Sequence, residues 1–222
     1  MEADAPAGGM IRAFVAVEIS DDVRLELTRV QTRLQRVRAR VGWVAPANIH
    51  LTLAFLGDIP PEGVAKITVE LDSIGSETAP FPYRVAKLGY FGSPRSPRVI
   101  WAGVDEGAAA MTTLQQRVVE ALRTLGIALE TRPFTPHLTI GRVRSAQGAG
   151  ELAELIEKEN DRVCGVVPVT RVLLMRSALT SQGPVYSILH AAVLSAGSQE
   201  SEWHVNRPPA ALALPPGHRL EM

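Results

Sequence analysis

A chain of 222 residues, 46% hydrophobic and 21% charged, carries enough apolar side chain to bury a sizeable core, which sets aside disorder for most of its length. Lysine plus arginine equals aspartate plus glutamate at 23 each, so no global field draws it to nucleic acid or membrane, and any polyanion contact must be local. The single cysteine, Cys164, cannot close an intrachain disulfide and has no histidine or acid motif around it, so it reads as a buried thiol.

Residues 1–10 are small, acidic and Gly/Pro-containing, without the basic and apolar regions of a secretory signal. They read as a flexible tail, and a cytoplasmic location follows. No apolar segment reaches bilayer-spanning length, so no membrane insertion is expected. Ile11 to Ile19 is a strand candidate, and Ser20-Asp21-Asp22 supplies an N-cap with acidic first-turn residues for a helix running to about Arg40. Val23, Leu27, Val30, Leu34 and Val37 fall at helical spacing. Arg24, Arg29, Arg33, Arg36, Arg38 and Arg40 lie on or beside the other face, as a solvated surface or an RNA-backbone patch. Trp43 to Pro46 then reads as a short connector.

The run Asn48-Ile49-His50-Leu51-Thr52-Leu53-Ala54-Phe55-Leu56-Gly57 follows, and it returns in altered form as Pro136-His137-Leu138-Thr139-Ile140-Gly141. In each copy a histidine and a threonine stand two apart in an apolar, β-favouring run, so a pleated strand sends imidazole and hydroxyl to the same face. Leu51, Leu138, Leu53 and Ile140 would point into the body of the domain. One His-x-Thr triplet is weak evidence; its repetition inside two strand-like runs is what raises the signal.

Between and beyond the copies the pattern alternates. Pro60-Pro61-Glu62 opens a helix with Val64, Ile67, Leu71 and Ile74 inward, closing around Gly75. Strands are expected from Pro80 to Leu88 and from Val99 to Val104, joined by a polar loop, Gly92 to Arg98, that carries two arginines. A helix from about Ala108 to Leu125 buries Met111, Leu114, Val118 and Leu122 and stops at Gly126. After Val143 come a loop, a short acidic helix around Glu151 to Glu157, and strands Val169 to Ala178 and Val185 to Leu194. His190, in an apolar run, reads as a packed or edge histidine. Residues 195–222 form an extended tail, so His204 and His218 are given no catalytic role. The folded unit is therefore 11–194.

The fold class is α+β, and the repeat recurs 87 positions later, from His50 to His137. The simplest architecture has two similar lobes, each a small sheet backed by helices, with the two His-x-Thr strands facing each other across a cleft. Two histidines on opposite sides of a phosphate can divide the work: one takes a proton from attacking water while the other protonates the departing oxygen. Threonine hydroxyls would orient non-bridging phosphate oxygens. No metal or other cofactor is called for, and the sequence lacks clusters at ordinary ligand spacing.

The pattern His50 to Gly57, paired with Arg132-Pro133-Phe134-Thr135-Pro136-His137-Leu138-Thr139, resembles the 2H phosphoesterase superfamily, and within it the RNA 2',3'-cyclic phosphodiesterases, also called 2'-5' RNA ligases. The resemblance runs from about Ile11 to Leu194 and includes the opening strand Arg12-Ala13-Phe14-Val15-Ala16 and the later Arg142. It implies a bilobal fold of two pseudo-symmetric lobes with small antiparallel sheets, and metal-free hydrolysis of a terminal 2',3'-cyclic phosphate to a 2'-phosphomonoester. By position His50 would be the proton donor and His137 the proton acceptor, with Thr52, Thr139 and Arg142 binding phosphate. Weak ATP-independent 2'-5' ligation is implied as a secondary activity. The expected partner is RNA ending in a 2',3'-cyclic phosphate, with the protein a monomer, free of metal and membrane. Within the superfamily, a phosphodiesterase acting on another cyclic nucleotide-type substrate is the alternative, and two other classes stand beside it: a non-catalytic RNA-binding module of the same fold using the Arg24 to Arg40 helix, and a metal-dependent phosphatase. Trp43, Phe55, Trp101 and Phe134 are core residues or base-stackers, with no single one favoured.

Overall fold

The computed structural model describes residues 9–181 and 183–196, so most of the two expected tails, with His204 and His218, lies outside the described residues. The strands in chain order are β1 (Ile11–Val17), β2 (Val41–Trp43), β3 (Leu51–Ile59), β4 (Phe81–Ser93), β5 (Ser96–Val104), β6 (His137–Val143), β7 (Val163–Val169), β8 (Arg171–Thr180) and β9 (Gly183–Val193). They form one antiparallel sheet in the order β7-β4-β5-β6-β3-β1-β8-β9, with β2 also on β6. The chain is α+β as expected. The two halves are joined rather than apart: β3 and β6, which carry the His-x-Thr triplets, are hydrogen-bonded neighbours at the centre, with Leu51 opposite Leu138.

Four helices are described: α1 (Asp21–Leu34), α2 (Pro61–Ser76), α3 (Ala108–Thr124) and α4 (Ala149–Lys158). Their apolar stripes, Val23, Leu27, Val30 and Leu34 on α1 or Met111, Leu114, Val118 and Leu122 on α3, merge with Val15, Val17, Leu51, Leu138, Ile100 and Ala102 into one core. One sheet face is thereby sealed, and the faces of His50 and His137 are left opposite it. The helices cross over between halves. Helix α1, which links β1 to β2, packs on β7 and α4, whereas α3, which links β5 to β6, packs on β3 and α2.

Each crossing helix carries a glutamine to the His-x-Thr strand of the other half. Gln31, the one buried polar side chain among the described residues, donates from Nε2 to the carbonyls of Ile140 at 2.9 Å and Val44 at 2.8 Å. Gln115 donates to the Leu53 carbonyl at 3.4 Å. Leu53 and Ile140 occupy equivalent places, each next to the threonine of its triplet.

Three expectations fail for tertiary reasons. The first helix stops at Leu34, not near Arg40: the Arg36 and Val37 amides tighten onto the Arg33 and Leu34 carbonyls at 3.2 Å each, and Val41–Trp43, which takes in the first residue of the expected Trp43 to Pro46 connector, is a strand paired with β6. The polar loop Gly92 to Arg98 is largely a hairpin, with Ser93 opposite Ser96 and only Pro94 and Arg95 at its tip. Strand β7 was hidden by Gly165 and Pro168. It lies at the sheet edge, where the missing proline N–H breaks no ladder.

Other readings hold. Cys164 is buried, and burial pushes its thiol up to about 11. His190 sits on the edge strand β9, with Nε2 2.6 Å from the Asp72 carboxylate on α2. Arg24 donates to the Pro46 and Ile19 carbonyls, Arg33 pairs with Glu159, and Arg29 pairs with Glu26, so half of the expected basic patch is engaged within the fold.

Candidate active site

Antiparallel pairing of Leu51 with Leu138 places the residues on either side of that pair opposite one another. His50 therefore stands beside Thr139, and Thr52 beside His137. All four side chains rise from the face opposite the buried leucines, and the two histidines lie on a diagonal. Diagonal neighbours are about 7–8 Å apart at Cα, room for one tetrahedral group between the rings.

Both imidazoles are pinned alike. His50 Nδ1 is 2.8 Å from the Asn48 carbonyl, and His137 Nδ1 is 2.7 Å from the Thr135 carbonyl. A carbonyl only accepts, so Nδ1 holds the hydrogen and Nε2 is left to exchange a proton with whatever occupies the site. The contact reaches back two residues in both copies, so Asn48-Ile49-His50 and Thr135-Pro136-His137 are one local device used twice.

Arg142 reaches the same face through a bulge. Strict alternation from His137 and Thr139 would put Gly141, not Arg142, beside them. On β6, however, Thr139 pairs with Trp101 and Gly141 with Ile100, so Ile140 is an extra residue. Arg142 pairs with Val99, two residues from Trp101 on β5, and so shares the face of Thr139. Strand β3 repeats the device: Thr52 pairs with Ala16 and Phe55 with Phe14, leaving Leu53 extra. Phe55, 58% exposed, is therefore the counterpart of Arg142 in the other half.

Beyond the shared scaffold the two histidines have different neighbours. Phe14 stacks on His50 at 4.7 Å between centroids, and Tyr186 meets that ring edge-on at 5.4 Å. Phe91 meets His137 edge-on at 5.0 Å. Burial pushes His50 below the ordinary histidine range, with the Asn48 carbonyl pulling back. Burial does the same to His137 against the Thr135 carbonyl, and the Arg142 cation lowers it further. Arg142 also opposes the rise that burial imposes on the Tyr186 phenol, so its charge reaches the rings of both halves. Trp101 floors the Thr139 side: its indole lies over Gly89, where a Cβ would come within 2.3 Å of the ring.

The structure thus brings together His50, Thr52, His137, Thr139 and Arg142, all five residues singled out from sequence. It adds Phe14, Tyr186 and Phe91, which were not singled out as site residues and meet the histidines only through sheet pairing. Of the four aromatics weighed as stackers, Phe55 alone is exposed, while Trp43 and Phe134 pack against the core. Among the described residues no three His, Cys, Asp or Glu side chains gather as a metal site, and no helix is long and apolar enough to cross a membrane.

Comparison with known proteins agrees with this geometry. The family described as LigT like Phosphoesterase matches residues 17–101 and 103–186, dividing the chain between its two His-x-Thr copies. The chain is 34% identical over 177 residues to the RNA 2',3'-cyclic phosphodiesterase of Methanothermobacter thermautotrophicus, covering 80% of this chain and 95% of that one. With the protein of the same name from Archaeoglobus fulgidus it shares 35% over 179 residues, covering 81% and 98%. Among solved structures, TT0787 of Thermus thermophilus superposes with a TM-score of 0.71 at 29% identity, over 83% of this chain and 98% of that one. An unbroken sheet with paired His-x-Thr strands at its centre, matched by this profile across both halves, makes the chain a member of the LigT-like phosphoesterase family.

Proposed function

We propose that the protein hydrolyses the 2',3'-cyclic phosphate at the end of an RNA to a 2'-phosphomonoester, by acid/base catalysis between His50 and His137. The observation that carries this reading is the Leu51–Leu138 pairing, which sets two Nδ1-pinned imidazoles on a diagonal with a threonine beside each. The names borne by the relatives from Methanothermobacter and Archaeoglobus supply the substrate class.

In this reading His137 Nε2 takes a proton from water as the water oxygen bonds to phosphorus. The bond from phosphorus to the 3' oxygen breaks, and that oxygen takes the proton held on His50 Nε2. The histidines end with exchanged protonation states and reset through solvent. Thr52 and Thr139 donate to the non-bridging oxygens, and Arg142 offsets the negative charge gathering there. These side chains cover both proton transfers and the charge, so the chemistry needs no metal. With a 5'-hydroxyl in place of water as the attacking group, the same bond changes and proton transfers give slow ATP-independent 2'-5' joining. The proposal is for a monomer acting in the cytoplasm.

The test is incubation with a cyclic-phosphate-ended oligonucleotide in excess chelator, with phosphorus NMR reporting which hydroxyl keeps the phosphate. A 2'-phosphate product is expected, and replacing either histidine by alanine should slow its formation by about 10²–10⁴ or more. Activity abolished by chelator and restored by a divalent cation would overturn the reading.

A further inference from the structure

The Gly92 to Arg98 segment was set apart in the sequence for its arginines, and the reaction above uses none of it. At the ends of β5 and β6 it walls a cavity of about 220 Å³, lined by Ser96, Arg98, Arg144, Ser145 and Ala149 among others. Four features suit this cavity to an anion. Arg98 and Arg144 are exposed and, among the described residues, make no ion pair, unlike Arg33, Arg84 and Arg162. Ser145 Oγ is shut off from solvent with no hydrogen-bond partner. Helix α4 begins at the cavity wall with Ala149 and has no capping side chain, so its positive end stands there, although the Ala149 N–H itself donates to the Ala146 carbonyl at 3.2 Å. The acid of its first turn, Glu151, is not in the lining.

The cavity is also tied to the catalytic centre. Arg98 adjoins Val99, the partner of Arg142, and Arg144 stands two residues beyond Arg142. Gly42 pairs with Arg142, and a Cβ there would come within 2.9 Å of Arg144 Nε, so glycine at this point lets the guanidinium lie across β2 toward Arg142. Two residues of strand span about 7 Å. That step suits neighbouring phosphates on an extended RNA strand.

Resting on the cyclic-phosphate reading, we infer that this cavity is a second phosphate subsite, which takes an internucleotide phosphodiester on the 5' side of the cyclic end. Two guanidinium groups and a hydroxyl supply donors for its two non-bridging oxygens, and the positive end of α4 adds to the field there. The protein then reads an RNA end as two phosphates in fixed relation, one cut and one held.

The experiment compares Arg98→Ala/Arg144→Ala with wild type on a 2',3'-cyclic mononucleotide, which has no second phosphate, and on a cyclic-phosphate-ended pentanucleotide. The double variant should raise KM for the pentanucleotide about tenfold or more, leave its kcat and both mononucleotide constants unchanged, and flatten the salt dependence of log KM by about 0.7 per lost contact. A parallel anisotropy titration uses a labelled pentanucleotide ending in a 3'-hydroxyl, whose binding should weaken by a similar factor. Equal losses on both substrates, or none on either with unchanged anisotropy, would overturn the subsite while leaving the hydrolase reading intact. Weakened anisotropy binding with no hydrolysis by wild type would keep a phosphate-binding cavity and remove the hydrolase.

Discussion

Gln31 offers the most direct test of how the fold holds the site. Its amide bridges the place where β6 changes partner, from β3 at Leu138 to β2 at Gly141, by donating to Ile140 at 2.9 Å and to Val44 at 2.8 Å. Replacing it with methionine keeps volume and length while removing both donors. The Ile140 carbonyl still accepts from the Val44 amide at 3.1 Å, but the Val44 carbonyl loses its side-chain donor. Two hydrogen bonds at about 1 kcal/mol each, with part of the desolvation cost of the stranded carbonyl, give a loss of about 2–4 kcal/mol. For a domain of this size that is a fall in Tm of roughly 5–15 °C. Gln115, at 3.4 Å and only partly buried, makes a longer and wetter contact, so Gln115→Met should cost under about 1 kcal/mol. Urea denaturation of the two variants side by side is the assay. If Gln31→Met lies within about 0.5 kcal/mol of wild type, or Gln115→Met costs as much, the crossing glutamine does not hold the strand junction as argued.

Three further outcomes follow from the same geometry. The Cε1–H signals of both histidines should titrate below about 6.5 in the free protein, and Arg142→Gln should raise the His137 midpoint while hardly moving that of His50; a midpoint above the ordinary value in wild type would contradict the burial argument. Because both folded-state values are depressed, the unfolded chain binds more protons below about 6.5, so stability falls as pH drops through that region and levels off above it; a His50→Asn/His137→Asn variant should show a shallower fall in denaturant melts. His50→Ala should regain most of its lost rate on a cyclic substrate whose 3' bridging oxygen is sulfur, a leaving atom that needs little protonation, while His137→Ala should not; rescue of His137→Ala alone would reverse the assigned roles.

What could be read from the chain alone depended on how far each feature reaches along it. The His-x-Thr repeat, the inward Leu51 and Leu138 and the stripes of α2 and α3 are local patterns with periods of two or 3.6, and the structure keeps them. Features set by a strand's partner were hidden. Strand β7 looks broken by Gly165 and Pro168 until its place at the edge is known, and Val41–Trp43 is a strand only because β6 lies beside it. The adjacency of the two His-x-Thr strands is of this kind as well. A repeat implies two similar halves, but whether they face each other or share a ladder is decided by pairing 87 residues apart. Phe14, Tyr186 and Phe91 went unseen for the same reason.

The bulges show how a near-symmetric scaffold acquires direction. In each half one extra residue after the threonine reverses the alternation, so the third residue beyond it returns to the face of the histidines. Counting by twos would have sent Arg142 and Phe55 to the sealed side. With the backbone device common to both halves, difference enters through the side chain it presents, a cation in one half and an exposed aromatic in the other. The histidines follow suit: identical Nδ1 pins leave both Nε2 atoms equally available, while His50 lies among apolar rings and His137 feels Arg142. On the proposed reading, a phosphate between them would have its negative charge drawn toward the Arg142 end, which would orient the rest of the substrate across the sheet. The division of labour proposed for the two like histidines would thus follow from which residues the paired bulges turn toward them.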